Sequence, residues 1–193
     1  MTETVQGGGK MLLVSGPSGT GKSTICKLLG EDPRVVFSVS ATTREPRAGE
    51  VDGRDYHFVS KARFTEMIQE GEFIEHADVY GNMYGTLRAP MEAAIGKGQI
   101  FLVEIDIQGA LQLKTLEMPG LYMFISPPDF ETLTRRLSGR GTESPELLKR
   151  RLHKAADEME ERFKYDHVIV NDVLETAVEE IRVISGLGQG ATP

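Results

Sequence analysis

The sequence predicts an α/β fold around a mostly parallel sheet, and three observations carry that prediction. Short apolar runs recur along the chain: KMLLVSG (10–16), VVFSVS (35–40), QIFLVEID (99–106), LYMFIS (121–126) and HVIVND (167–172). Runs this short and continuous suit strands buried on both faces. Helical stretches separate most of them, and strand–helix alternation is the mark of a parallel sheet. The third observation is GPSGTGKS (16–23), which fills the pattern G-x-x-x-x-G-K-[ST] directly after the first run. That pattern belongs where a strand turns into a helix around an anion.

Each element follows from local chemistry. The run 10–16 is stopped by glycine, and a helix is expected from Lys22 to about Leu29. A second strand covers 35–40. From about 41 to 87 the rhythm breaks, which predicts an inserted, mixed subdomain. Within it YHFVS (56–60) alternates, Ser60 can cap a helix running to Glu70, and Gly71 can stop it. Residues 72–87 read as strands and turns, and APMEAAIGKG (89–98) as a short helix. The strand 121–126 ends at two prolines. Helices are expected over 129–138 and 145–164, then a last strand at 167–172 and a last helix at 173–184.

Composition excludes several classes. The 193 residues suit one domain, and 39% hydrophobic residues can build a core that should be aliphatic, because tryptophan is absent and aromatics are only 7%. A formal charge of -7 argues against general binding to nucleic acid or an anionic membrane. No apolar run approaches the roughly 20 residues that span a bilayer. The single Cys26 cannot form an internal disulfide, and MTETVQGGGK lacks the apolar core of a secretion signal. The expectation is a cytoplasmic protein with small-molecule partners.

The loop gives those partners a chemistry. Gly16, Gly19 and Gly21 let backbone N–H groups curl around phosphate oxygens, with Pro17, Ser18 and Thr20 between them. Lys22 sets a charge against the β and γ phosphates, Ser23 offers a hydroxyl to Mg²⁺, and Thr24 continues the helix whose positive end meets the anion. TTREPRAGEVDGRDYHF (42–58) adds Arg44, Arg47 and Tyr56 on an exposed, turn-rich segment. On composition alone this is a solvated basic turn paired with Glu45 and Glu50. Beside a phosphate-binding loop it reads as a second phosphate site, because a guanidinium fork binds phosphate oxygens bidentately. Glu104 and Asp106 lie two apart at the end of a buried strand, where ligands of parallel sheets bind.

TTREPRAGEVDGRDYHF resembles the signature of guanylate kinases. So do FIEHADVYGNMYGT (73–86), FLVEIDIQGA (101–110), FISPP (124–128), RLSGRGTES (136–144), KRRL (149–152) and VIVND (168–172), in the family's order. The resemblance spans about residues 10 to 184. It implies Mg²⁺-dependent, in-line transfer of a phosphoryl group from ATP to GMP. It also implies a P-loop NTPase-type parallel-sheet core with helices on both faces (10–40, 88–133 and 152–185), a GMP-binding subdomain (41–87) and a helical lid (134–151). The family's GMP site falls here on Ser40, Arg44, Arg47, Tyr56, Glu75, Tyr84, Gly85, Thr86 and Asp106. Its ATP site falls on residues 16 to 24 with the lid arginines Arg136 and Arg140, and with Asn171 near the adenine. The catalytic set is Lys22, Arg44, Arg136, Arg140 and Arg151. Ser23 and Asp106 are the metal candidates; the family often has aspartate at both acid positions, so Glu104 blurs that choice. No general base is required, because the attacking phosphate oxygen is already an anion.

Two other classes share parts of this pattern. Non-enzymatic modules of the same family bind phosphorylated partners through the same arginines, but their phosphate-binding loops are typically degraded, whereas Lys22 and Ser23 are intact here. A small phosphotransferase for AMP, a pyrimidine nucleotide or a small alcohol would share the loop; Ser40, Glu75 and Thr86 together favour guanine. The choice between GMP and its deoxy form, and the oligomeric state, are not written in the sequence.

Overall fold

The structure, a computed structural model, describes residues 8–79, 81–138 and 145–188. Two sheets divide the chain. The larger has five parallel strands, β1 (Lys10–Ser15), β2 (Val35–Phe37), β7 (Ile100–Glu104), β8 (Leu121–Ser126) and β9 (His167–Val170), in the order β2-β7-β1-β8-β9. The smaller is mixed and comes wholly from the inserted segment: β3 (Ala41–Thr42), β4 (His57–Phe58), β5 (Phe73–Val79) and β6 (Asn82–Leu87), in the order β4-β3-β6-β5.

Side-chain alternation along β1 explains why helices cover both faces of the large sheet. Leu12 and Val14 point to one face and pack with Ile25 and Leu29 of α1 (Lys22–Leu29) and Val178 and Ile181 of α7 (Leu174–Ser185). Met11 and Leu13 point to the other and pack with Met91 of α3 (Arg88–Gly96) and Ala110 and Leu113 of α4 (Ile107–Thr115). The small sheet has its own core, in which Ala41 and Phe73 lie against Phe64 and Met67 of α2 (Lys61–Gln69). A fourth cluster joins α5 (Phe130–Ser138) to α6 (Pro145–Glu160) through Leu133, Leu137 and Ala155.

Three elements differ from expectation. The run 35–40 is not one strand. Val35–Phe37 pairs with β7, Ser38 N–H still donates to Leu102 O (2.8 Å), and the chain then crosses to the small sheet at Ala41. Residues 38–40 form the crossing itself, with Ser38 N–H still bonded to the large sheet and Ser40 O already accepting from His57 N–H of the small one. Helix α4 had no sequence signal, since Gly109 interrupts it; Asp106 caps it by accepting from Gly109 N–H (2.9 Å). The helix over 145–164 tightens to a 3₁₀ turn at Glu161–Lys164.

Gly85 of β6 shows how packing sets the small sheet. A Cβ there would lie 2.6 Å from the Phe73 ring, which is stacked on Phe64 with centroids 4.6 Å apart. Gly85→Ala should therefore displace that stack and lower the unfolding free energy by about 1–3 kcal/mol, measured as a reduced urea midpoint at unchanged m-value.

Candidate active site

Strand order reverses at β1, which lies between β7 and β8, and the crevice at the strand ends is where α/β sheets bind ligands. The loop 16–21 fills that crevice. Gly16, Gly19 and Gly21 have φ of 139°, 87° and 93°, left-handed conformations that a side chain would strain. A Cβ on Gly16 would also come within 2.4 Å of Ile125 O. Gly21 caps α1 without a side-chain hydrogen bond, and the first turn of α1 has no acid. Its N–H groups and positive dipole end are thus left for an anion. Thr20, fully buried, donates to Pro17 O (2.9 Å). Thr24 is exposed on the first turn of α1.

Lys22 Nζ donates to Gly16 O (2.7 Å) and Pro17 O (2.8 Å). Burial pulls its pKa below the ordinary lysine value, against the opposing fields of Glu104, Glu158, Cys26 and Asp106. Ser23 Oγ donates to Glu104 Oε1 (2.6 Å). Of the two strand-end acids, Glu104 is therefore the one on the metal-candidate hydroxyl. Its extra methylene reaches Ser23 from the last position of β7, whereas Asp106 spends Oδ1 on capping α4.

Other elements brace the loop. Asn171, 5% exposed, donates its amide to Thr20 O (2.7 Å), and a Cβ on Gly21 would come within 2.4 Å of Asn171 Nδ2. Arg136 Nη1 donates to Asn171 O (3.0 Å), and Arg151 Nη2 to Ser18 Oγ (2.8 Å). Arg151 thus reaches the loop from α6, and Arg136 of α5 reaches Asn171, which holds the loop in turn. Arg140 lies outside the described residues. The amide of Asn171 is committed to the loop backbone, a contact with no sequence signature.

The small sheet assembles the second cluster. Arg44 donates from Nε to Tyr84 Oη (3.2 Å), from Nη1 to Glu45 O (2.7 Å) and from Nη2 to Glu50 Oε1 (2.8 Å). Its guanidinium carbon lies 5.6 Å from the Tyr56 ring centroid, and Tyr56 meets Tyr84 edge-on at 5.9 Å. Arg47 is exposed, and its backbone N–H donates to Glu50 Oε2 (2.7 Å). Glu50 thus holds both arginine positions on one turn.

Glu75 is 5% exposed on β5, opposite Thr86 of β6. A register shift between Phe73 and Glu75 sets that pairing. Its Oε1 accepts from Thr86 N–H (3.0 Å) and Thr86 Oγ1 (2.6 Å). Oε2 faces the first turn of α4, where a Cβ on Gly109 would come within 2.8 Å of it. Desolvation pushes the carboxyl up to about 7, with Asp106 adding to the rise and the Thr86 bonds opposing it. Ser40, half-buried just before β3, accepts from His57 N–H at its carbonyl (2.9 Å).

Comparison with known proteins agrees with this layout. The family described as guanylate kinase matches residues 8–185. Guanylate kinases of Clostridium perfringens and Clostridioides difficile are each 48% identical over 177 residues, covering 91% of this chain and 82% and 86% of theirs. That of Mycolicibacterium paratuberculosis is 48% identical over 178 residues, covering 91% of this chain and 80% of its own. The crystal structure of guanylate kinase from Anaplasma phagocytophilum superposes with a TM-score of 0.75 at 35% identity, over 96% of this chain and 89% of that one. A phosphate-binding loop and a separate arginine–tyrosine cluster, on a chain this similar to named phosphotransferases over most of its length, leave one conclusion: the chain belongs to the guanylate kinase family and transfers a phosphoryl group from ATP to GMP.

Proposed function

We propose that the two clusters divide the reaction between them. The loop 16–24, with Lys22 on the β and γ phosphates, binds ATP, and Asn171 holds the loop in register beside the adenine. Residues 41–87 form the GMP-binding subdomain. Arg44, Arg47, Tyr56 and Tyr84 bind the GMP phosphate; Ser40, Glu75, Thr86 and Asp106 read the base; Gly85, between Tyr84 and Thr86, leaves room for the Phe73 ring that supports them. Residues 134–151 act as a lid whose Arg136, Arg140 and Arg151 neutralise charge on the oxygens in flight. The GMP phosphate attacks in line as the anion it already is, so positioning and charge neutralisation carry the catalysis. The enzyme works in the cytoplasm on free nucleotides.

A magnesium ion fits this site. Ser23 and Glu104 present hard oxygen donors side by side, with Asp106 two residues on. Among the described residues no group of three or more His, Cys, Asp or Glu side chains could form an all-protein cage. Mg²⁺ suits such a set, because it keeps waters and substrate phosphates as ligands. When bound it neutralises phosphate charge; Ser23, Glu104 and Asp106 would hold it or its waters.

The observation that carries the guanine reading is Glu75. One oxygen is fixed by Thr86, and the carboxylate has acceptors but no donor. Guanine offers adjacent donors at N1–H and the 2-amino group. Adenine offers a lone pair at N1 and would leave the buried charge unpaired. Glu75→Gln should lower kcat/KM for GMP by about 100-fold or more, with KM for ATP nearly unchanged. An ADP-release assay across GMP, AMP, UMP and dTMP reads the result; an unaltered GMP-to-AMP ratio would exclude Glu75 as the reader.

The raised pKa gives a second expectation. GMP requires the ionised carboxylate, so kcat/KM for GMP should climb as pH rises through about 7, and Glu75→Gln should flatten that limb. Stability runs the other way. Unfolded glutamate loses its proton near pH 4.3, so between there and about 7 the folded state binds the extra proton, and stability falls as pH rises. The loss is about 4 kcal/mol once complete. Glu75→Gln should therefore melt above the parent at pH 8, and the margin should vanish by about pH 4.5.

Lys22→Ala should abolish transfer while preserving the fold, because its ammonium serves the loop and not an apolar core. Circular dichroism and turnover check this together; near-parental turnover in a folded variant would refute the mechanism.

A further inference from the structure

Alternation along a strand places residues two apart on one face. On β5 that rule would put Glu75 on the face of Phe73, which packs with Phe64 and Met67 of α2. Glu75 lies on the other. Phe73 pairs with Leu87, yet Glu75 pairs with Thr86, so β5 spends two residues against one of β6. This is a bulge, with Ile74 as the extra residue. Ile74 packs in the cluster of Met91 and Ala110, and Glu75 turns the same way, toward Gly109 at the head of α4. A slip of one residue reverses the face of everything beyond it. Without the bulge, the Glu75 carboxyl would leave the site for the apolar core of the small sheet.

The bulge needs a support, because β5 is an edge strand with a partner on one side only. Arg88, the first residue of α3, supplies it. Its backbone N–H donates to Glu72 O (2.8 Å), its Nε to Gly71 O (3.2 Å) and its Nη2 to Phe73 O (3.1 Å). Three consecutive carbonyls, the last beside the extra residue, thus accept from one arginine. The entry to β5 is fixed on its other side by α2: Gly71 is left-handed (φ 70°), and Glu72 N–H returns to Met67 O (3.0 Å). Among the described residues the Arg88 guanidinium forms no ion pair, and the adjacent acid, Glu72, is taken by Arg63. A planar fork holds two carbonyls at a set spacing, which a single ammonium does not.

We propose that Arg88 is a positioning residue for guanine selection: from the head of α3 it fixes the start of β5, so that the bulge at Ile74 delivers Glu75 to the base. The inference rests on Glu75 reading guanine. Arg88 acts through Glu75, since its own donors are spent on the carbonyls of Gly71 and Phe73. A base reader holds GMP in the ground state and the transition state alike. Its displacement should therefore appear in KM for GMP more than in kcat.

The test measures kcat, KM for GMP and ATP, and kcat/KM for AMP in Arg88→Met and Arg88→Lys, each in the parent and in the Glu75→Gln chain, with melting temperature as the check on folding. Arg88→Met removes every side-chain donor and should lower kcat/KM for GMP about tenfold, with kcat and KM for ATP within about twofold of the parent. The GMP-to-AMP ratio should fall by about the same factor, since AMP gains nothing from a well-placed carboxylate. Arg88→Lys keeps one donor group and should lose about threefold. In the Glu75→Gln chain either change should cost less than about twofold, as for a residue that acts through another. A loss shared equally by GMP and AMP marks a structural role and overturns the proposal. So does a full loss repeated in the Glu75→Gln chain, or a parental ratio in both Arg88 variants. Should Arg88→Met fail to fold, the Arg88→Lys cycle decides on the same terms. If Glu75→Gln itself left the ratio unaltered, the reading beneath would fail; an altered ratio there with parental Arg88 variants would sink this inference alone.

Discussion

A lysine ammonium buried at the end of a parallel sheet is the constraint around which this molecule is arranged. A charge removed from water must be repaid by dipoles and opposite charges in fixed places. Lys22 has two loop carbonyls, at Gly16 and Pro17, and the carboxylates of Glu104, Asp106 and Glu158 around it. Those groups come from the loop after β1, from the junction of β7 and α4, where Glu104 and Asp106 stand two apart, and from α6, three segments far apart in sequence. The loop must stay narrow for its carbonyls to reach Nζ. Narrowness in turn demands glycine at 16, where Ile125 O stands in the way of any side chain, and at 21, where the Asn171 amide does.

The same electrostatics recur with opposite sign in the small sheet. Glu75 is a buried acid that meets no cation among the described residues; two donors from Thr86 are its hydrogen-bond partners there. Burial therefore wins, and the carboxyl keeps its proton to about neutral pH. A site that waits for a ligand's donors is destabilising until the ligand arrives, which is the usual relation between pre-organised polar groups and folding stability. Arg44 avoids this penalty. Its side chain is only 13% exposed but is already paired with Glu50, so it can exchange that partner for a phosphate at little loss.

Separate cores let the two sheets carry separate anions. Ala41, Phe64, Met67 and Phe73 bury the small sheet against its own helix, while the two faces of the large sheet are packed by other helices. The boundary contact that bears on function is narrow: Glu75 Oε2 beside Gly109, at the turn that Asp106 caps. Only a glycine leaves that approach open.

The sequence by itself determined the parallel core, the phosphate-binding loop and the residues of the arginine–tyrosine cluster. Each is encoded locally: continuous apolar runs, glycines at fixed offsets, and a turn-rich segment whose residue types have few uses. It also determined the family, because those motifs stand in order along almost the whole chain. The tertiary structure alone decided what depends on approach between distant segments. It ended the strand at Phe37 and made 38–40 the crossing between two sheets, since apolar character cannot say where pairing stops. It formed α4 despite Gly109, because the Asp106 cap and burial against Met11 and Leu13 outweigh weak propensity. It put Glu104 rather than Asp106 on Ser23, a matter of one methylene of reach across β1 and β7. And it brought Asn171 onto the loop from more than a hundred residues away, because hydrogen-bond complementarity across a fold leaves no periodic trace in the chain.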